Sequence, residues 1–215
     1  MRIDIYSDTV CPWCFIGKRR LEAALAQRPQ PGMTIRWRPF QLNPAMPLEG
    51  MARGAYLTAK FGGRANAKRV YDTIQETGRS VGIEFRFDRI THTPNTLKSH
   101  QLLHLAAENG DQDALMERLF RLYFLDGADI GDMAVLAEAA RAAGLDPTDA
   151  YAALSADVGR QFVVDEDQRA RQAGIQGVPT FVLNGRYALS GAQEPKLLMQ
   201  MFDLARESLP ERVPE

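Results

Sequence analysis

The sequence predicts an α/β fold in which a small sheet is begun near the N-terminus, interrupted by a long helical insertion, and completed near the C-terminus. Strand patterns stand at both ends, over Arg2 to Ser7 and Met33 to Pro39 on one side and Val178 to Ser190 on the other. From Met51 to Gly174 the apolar residues recur at helical spacing instead. The only two cysteines of the 215 residues lie two apart, as Cys11-Pro12-Trp13-Cys14, where the first strand gives way to a helix.

Each element has a local reason. Arg2-Ile3-Asp4-Ile5-Tyr6-Ser7 alternates apolar and polar side chains with β-forming residues, the pattern of a short strand. Pro12 suits the first helical position, where its missing N–H costs nothing, so Cys11 is the expected N-cap. Cys14, Gly17, Leu21, Ala24 and Leu25 then form one stripe of that helix. The two thiols therefore differ in kind. Cys14 heads the buried stripe, whereas the Cys11 sulfur is expected at the open helix end, among unpaired N–H groups and the positive pole of the macrodipole. Such a place favours thiolate over thiol, which makes Cys11 the expected nucleophile and Cys14 the resolving thiol. Pro12 sets the backbone of Cys11, and Trp13 shapes the rim beside it.

Met33, Ile35 and Trp37 alternate with Thr34, Arg36 and Arg38 in a second strand that ends at Pro39, completing a strand–helix–strand unit over residues 1–43. The insertion follows over residues 44–174 as an all-helical body. Its expected helices are Ala52 to Phe61, Arg64 to Ser80, one opened by Thr93-Pro94 and running to Asn109, one around Leu115 to Tyr123, Met133 to Ala143, a short helix from about Asp149, and a longer one ending at Gly174. Ile83 to Ile90 reads as a loop with extended character. Pairs Asp165 to Arg169 and Asp167 to Arg171 support the last helix. Residues 175–215 return to the sheet with Val178 to Leu183, an Asn184-Gly185 hairpin turn and Arg186 to Ser190. A closing helix from Pro195 through Leu209 follows, then a disordered tail, Pro210 to Glu215.

Composition narrows the function. A formal charge of −1 argues against nucleic acid or an anionic membrane as the main partner, and Lys18-Arg19-Arg20 reads as a solvated helix face. No apolar run approaches membrane-spanning length and the chain opens directly on a strand, so a cytoplasmic protein is expected. A two-residue spacer closes too small a loop for a structural disulfide to stabilise the fold much. A zinc knuckle needs four ligands, and beyond the cysteines only His92, His100 and His104 are strong candidates, so no metal is expected. His100 and His104 share a helix face and read as histidines bonded at an interface. A lone C-x-x-C in a reducing compartment points to redox catalysis.

Taken together, Ser7-Asp8 before Cys11-Pro12-Trp13-Cys14, Pro94-Asn95-Thr96 with His100, and Gly177-Val178-Pro179-Thr180-Phe181-Val182 followed by Ser190-Gly191-Ala192-Gln193 resemble the DsbA-like branch of the thioredoxin superfamily, most closely its FrnE-like subgroup. The resemblance implies a thioredoxin fold interrupted by an all-helical insertion domain, and a thiol–disulfide oxidoreductase acting through mixed disulfides of Cys11 and Cys14. It also implies a cis bond before Pro179, with Val178 backbone groups free to hold a substrate in strand fashion. The cleft beside the insertion, bordered by Asn95 and His100, is the expected substrate surface, and Asp8 is either a nearby acid/base or a loop cap. Expected partners are proteins or small molecules carrying thiols or disulfides. No cofactor beyond the cysteine pair is expected, with glutathione as a candidate co-substrate. The same branch holds 2-hydroxychromene-2-carboxylate isomerases and kappa-class glutathione transferases, which generally carry Ser where Cys11 stands and an acidic residue near Gln193. A glutathione-dependent isomerase or transferase is thus the nearest alternative, and a redox-regulated or metal-binding adaptor the non-enzymatic one.

Overall fold

The computed structural model describes residues 1–207. Strand β1 (Arg2–Ser7) leads through a tight turn into helix α1 (Pro12–Gln27), and β2 (Thr34–Pro39) returns beside it. In the insertion, β3 (Met51–Ala52), α2 (Arg53–Phe61) and α3 (Arg64–Ser80) precede β4 (His92–Thr93). Then come α4 (Leu97–Asn109), α5 (Gln112–Arg121), α6 (Met133–Ala139), α7 (Pro147–Ser155) and α8 (Arg160–Gln172). The hairpin β5 (Thr180–Leu183) and β6 (Tyr187–Ser190) leads into α9 (Pro195–Glu207). The expected end of that helix at Leu209 and the tail from Pro210 to Glu215 lie outside the described residues. No helix among the described residues is long and apolar enough to cross a membrane.

Four strands form the main sheet in the order β2-β1-β5-β6, with β1 parallel to β2 and antiparallel to β5. Chain ends far apart in sequence therefore meet, and Ile5 lies between Trp37 and Phe181. Ile3 and Ile5 are buried in the core, while Asp4 is held by Arg2 and Arg38, each at 2.9 Å. The hairpin turns on Asn184 and Gly185 with positive φ at both, as an Asn-Gly pair allows.

The insertion and the sheet share one apolar core, and α1 is where they join. Phe15 stacks on Phe120 of α5 at 5.1 Å and meets Phe85 edge-on at 6.1 Å. Beside it Lys18 is buried, with its ammonium bound by Glu22 of the same helix and by Asp113 of α5 at 3.0 Å. Arg19 pairs with Glu117 of α5, and Arg20 with Glu194. The basic run is thus an interface rather than the solvated face expected. The acidic side chains that neutralise Lys18 and Arg19 arrive from α5, about a hundred residues away in sequence, and the one that meets Arg20 stands just ahead of α9.

Several local expectations are corrected. The insertion is not wholly helical, because Met51–Ala52 pairs antiparallel with His92–Thr93. That pairing keeps Thr93 extended, so α4 opens at Leu97 rather than Pro94, where the Asn95 side-chain oxygen accepts the Leu97 N–H at 2.9 Å. The segment Ile83 to Ile90 holds one 3-10 turn, Phe87–Arg89. Leu122 and Tyr123 lie beyond α5 in a π-helical turn, Leu122–Asp126, and Ala140–Ala143 winds as a 3-10 turn after α6. The start of α7 is near Asp149 as expected, and its cap is Asp146, whose carboxylate accepts the Thr148 and Asp149 N–H groups ahead of Pro147. Asp167 pairs with Arg171 as expected, but Arg169 pairs with Glu166, and Asp165 accepts from Gln161.

Candidate functional site

Central strand β1 delivers Ser7, Asp8 and Thr9, all fully buried, to the point where the chain turns into α1. The turn is closed by Cys11 N–H donating to the Asp8 carbonyl at 3.0 Å. One carboxylate oxygen of Asp8 accepts the Leu42 N–H at 2.7 Å and so ties the exit of β2 to the cysteine turn. The other lies 3.3 Å from His100 Nε2, not aligned as a hydrogen bond, and neither atom has another partner among the described residues. Thr9 donates to Ser99 at 2.8 Å and Ser99 to the Thr96 carbonyl at 2.8 Å, which fastens α4 to the same turn.

Cys11 is the N-cap residue, extended at φ −94° and ψ 111°, with Pro12 opening the helix. Its carbonyl accepts the Cys14 N–H at 3.0 Å. Its sulfur makes no capping bond and instead donates to the Val178 carbonyl at 3.6 Å. Cys11 is only 3% exposed, so the open sulfur expected at the helix end is corrected: the proline loop covers it. Both cysteines are free thiols here. Burial pushes the Cys14 thiol well above the usual thiol range, and the neighbouring Cys11 acts in the same direction. The Ser7 hydroxyl and the Asp8 backbone N–H oppose the shift.

The Val178–Pro179 bond is cis. The loop is held by the Pro179 carbonyl accepting from Gly191 N–H at 2.7 Å and by the Thr180 hydroxyl donating to the Gly177 carbonyl at 2.8 Å. It presses on α1 where that helix has no side chain: a Cβ on Gly17 would stand 2.9 Å from Pro179 Cγ and 3.2 Å from Phe181 Cζ. Glycine is needed here for close approach, since the Cβ it lacks would meet a rigid ring.

Asp8, Cys11, Pro12, Trp13, Cys14, Val178 and Pro179 thus converge, and His100 joins them through Asp8. Asn95 does not border an open cleft. It is buried, and its amide holds the Met46 carbonyl at 2.7 Å while its oxygen caps Leu97. His100, though only 2% exposed, is among the residues lining a cavity of about 710 Å³ walled by β2, α4 and α5. The Val178 carbonyl, expected to be free, is occupied by the Cys11 thiol. His104 stacks on Phe162 of α8 at 3.9 Å, an interface role. Sequence reading missed Ser7 as a neighbour of Cys14, the Thr9–Ser99 tie and the packing of Gly17 on Pro179. Only the last left a trace, a glycine in the middle of a buried helical stripe.

Known proteins resemble this chain over most of its length. The DsbA-like thioredoxin domain family matches residues 2–203. A probable DsbA oxidoreductase from Streptomyces coelicolor superposes with a TM-score of 0.88 at 35% identity, over 100% of this chain and 92% of that one. An uncharacterized protein, YwbO, from Bacillus subtilis (strain 168) is 28% identical over 199 residues, 89% of this chain and 90% of that one. The cytosolic disulfide reductase DsbM from Pseudomonas aeruginosa, solved with GSH, shares the fold at a TM-score of 0.69 and 22% identity, over 96% of this chain and 100% of that one.

Proposed function

The chain belongs to the DsbA-like thioredoxin domain family, and on that premise we propose that it is a cytoplasmic thiol–disulfide oxidoreductase of the FrnE-like branch working through Cys11 and Cys14. The observation that carries the reading is the stacking of three parts in order: the Val178 carbonyl, the Cys11 sulfur 3.6 Å from it, and the buried Cys14 thiol one helical turn behind. The Cys11 thiolate attacks one sulfur of a substrate disulfide, and the other substrate sulfur leaves as a thiolate and takes up a proton. Cys14, once deprotonated, attacks the Cys11 sulfur of the mixed disulfide and expels the second substrate thiolate. The substrate gains two electrons and the cysteine pair loses them. Run backwards, the same steps oxidise a dithiol.

When Cys11 bonds to a substrate sulfur it gives up the proton it donates to the Val178 carbonyl, which frees that carbonyl for a substrate backbone N–H. The proline loop thereby offers a strand-like contact at the stage when the substrate is covalently held. Mixing the reduced protein with a model peptide disulfide tests the proposal. Two peptide thiols should appear for each protein molecule, with loss of both protein thiols. Cys11→Ser should abolish the exchange, and a Cys11→Ser protein that still reduces the peptide would contradict the assignment.

A further inference from the structure

Among the described residues six buried side-chain atoms have no hydrogen-bond partner, and three of them, Ser7 Oγ, Asp8 Oδ1 and His100 Nε2, stand behind the cysteine turn. Buried polar atoms are nearly always paired, so three such atoms in one place need a reason. The Ser7 hydroxyl stands at the Cys14 sulfur, and Asp8 follows it in the chain. Asp8 Oδ1 and His100 Nε2 face each other at 3.3 Å, in side chains 1% and 2% exposed. A neutral imidazole with its proton on Nδ1 turns an acceptor toward the carboxylate, and one added proton then serves both atoms.

His100 also lines the cavity of about 710 Å³ between β2, α4 and α5, none of whose lining residues belongs to the cysteine turn or the proline loop. Arg36 and Glu108 in its wall are exposed, so water enters there. The other charged groups around it are engaged. Arg38 is held by Asp4 and Glu166, Asp113 by Lys18 and the Trp37 indole, and Asp111 caps α5. On α8, Asp167 is taken by Arg171, and on α4 itself Glu108 lies 3.7 Å from His104. Asp8 is the carboxylate that His100 meets.

The resolving step gives these observations a use. Cys14 must lose its proton while a substrate is bonded to Cys11, and at that stage the substrate occupies the proline-loop side. We propose that the proton leaves inward instead: the Asp8–His100 pair receives it, with the Ser7 hydroxyl at the start of the path, and hands it to water in the cavity. The inference rests on the Cys11–Cys14 exchange proposed above and adds its proton route. The Cys14 S–H bond breaks and its proton comes to lie between Asp8 Oδ1 and His100 Nε2. The Cys14 thiolate attacks the Cys11 sulfur, and the substrate sulfur leaves with the electron pair of the bond it shared with Cys11. That thiolate takes a proton from water, and the cavity returns one, so the count balances. His100 is a positioning residue here, acting through Asp8.

The test mixes reduced protein with one equivalent of a dipyridyl disulfide, which releases one pyridinethione on attack by Cys11 and a second on resolution by Cys14. With an internal acceptor, the second rate in wild type should rise much less than tenfold per pH unit between pH 6 and 9, because hydroxide is not needed. A full rise of about tenfold per unit would overturn the route, and this measurement needs no variant to fold. His100→Ala should lower the ratio of second to first rate about 100-fold at pH 6, and less at pH 9, where hydroxide takes over. Imidazole added to that variant should restore part of the ratio by entering the cavity. Asp8→Asn keeps an oxygen for the Leu42 N–H and should lower the ratio in the same way, without rescue by imidazole. Equal slowing of both steps with an unaltered pH slope, as a purely structural tie would give, would overturn the route while leaving the exchange standing. A first release with no second from wild type would overturn the exchange reading and the route with it.

Discussion

At the scale of single residues the two cysteines differ in what surrounds them, and the difference has a sign that can be measured. Cys14 is fully buried and its thiol is pushed well up by that burial. In the unfolded chain a cysteine titrates near about 8.5. Below that pH both states hold the proton and the folded protein keeps its full stability. Above it the unfolded chain loses the proton first, so stability falls as pH rises toward the folded value. Denaturant unfolding of the reduced protein between pH 7 and 10 should thus show a decline above about 8.5 that Cys14→Ala makes shallower; identical pH dependence in the two proteins would contradict the burial argument. Asp8 makes a second test. Asp8→Ala removes the acceptor for the Leu42 N–H at a buried position and should cost about 1–3 kcal/mol by denaturant melts. A loss near zero would mean that the tie between β2 and the cysteine turn is unimportant. The cysteines and Pro179 were legible in the sequence because each belongs to a short local motif. The Thr9–Ser99 tie was not, since the two stand 90 residues apart and only tertiary packing brings them together.

At the scale of elements, α1 and the proline loop are fitted to each other through Gly17. Replacing a glycine inside a helix by alanine ordinarily stabilises by about 0.5–1 kcal/mol. Here the new methyl would meet the Pro179 ring at 2.9 Å, so Gly17→Ala should instead destabilise, by roughly 1–3 kcal/mol, and slow disulfide exchange by lifting the loop from Cys11. A stabilised variant with unaltered exchange would show that the contact is slack. Element existence was largely readable, because strand alternation and helical stripes are local. Some boundaries were not. Thr93-Pro94 carries a good helix-opening signal, yet Thr93 is held extended by pairing with Met51, a residue no local pattern connects to it. Lys18 likewise looked solvated, because nothing in its neighbourhood in sequence announces Asp113.

At the scale of the whole molecule, the sheet and the insertion are joined by one aromatic cluster directly beneath the reactive helix end. Phe120 is fully buried and stacked on Phe15, so Phe120→Ala should cost about 3–5 kcal/mol. Since the core is continuous, aromatic near-ultraviolet signals and backbone far-ultraviolet signals should be lost together in that variant. A first transition confined to one of them would show the sheet and insertion to be separable. The broad architecture could be anticipated from strand patterns at the two chain ends, whereas the way the insertion grips α1 depends on contacts across about a hundred residues.

The central claim, that Cys11 attacks and Cys14 releases, is tested most directly by Cys14→Ser. With Cys11 intact and no internal thiol to displace it, the variant should accumulate a covalent complex with a model protein disulfide, visible as a mass increase that a reductant reverses, and multiple turnover should fall sharply. If Cys14→Ser turns over as fast as wild type and traps nothing, the dithiol account is contradicted, and chemistry carried by a bound thiol over the helix end, as in a glutathione-dependent isomerase or transferase, takes its place.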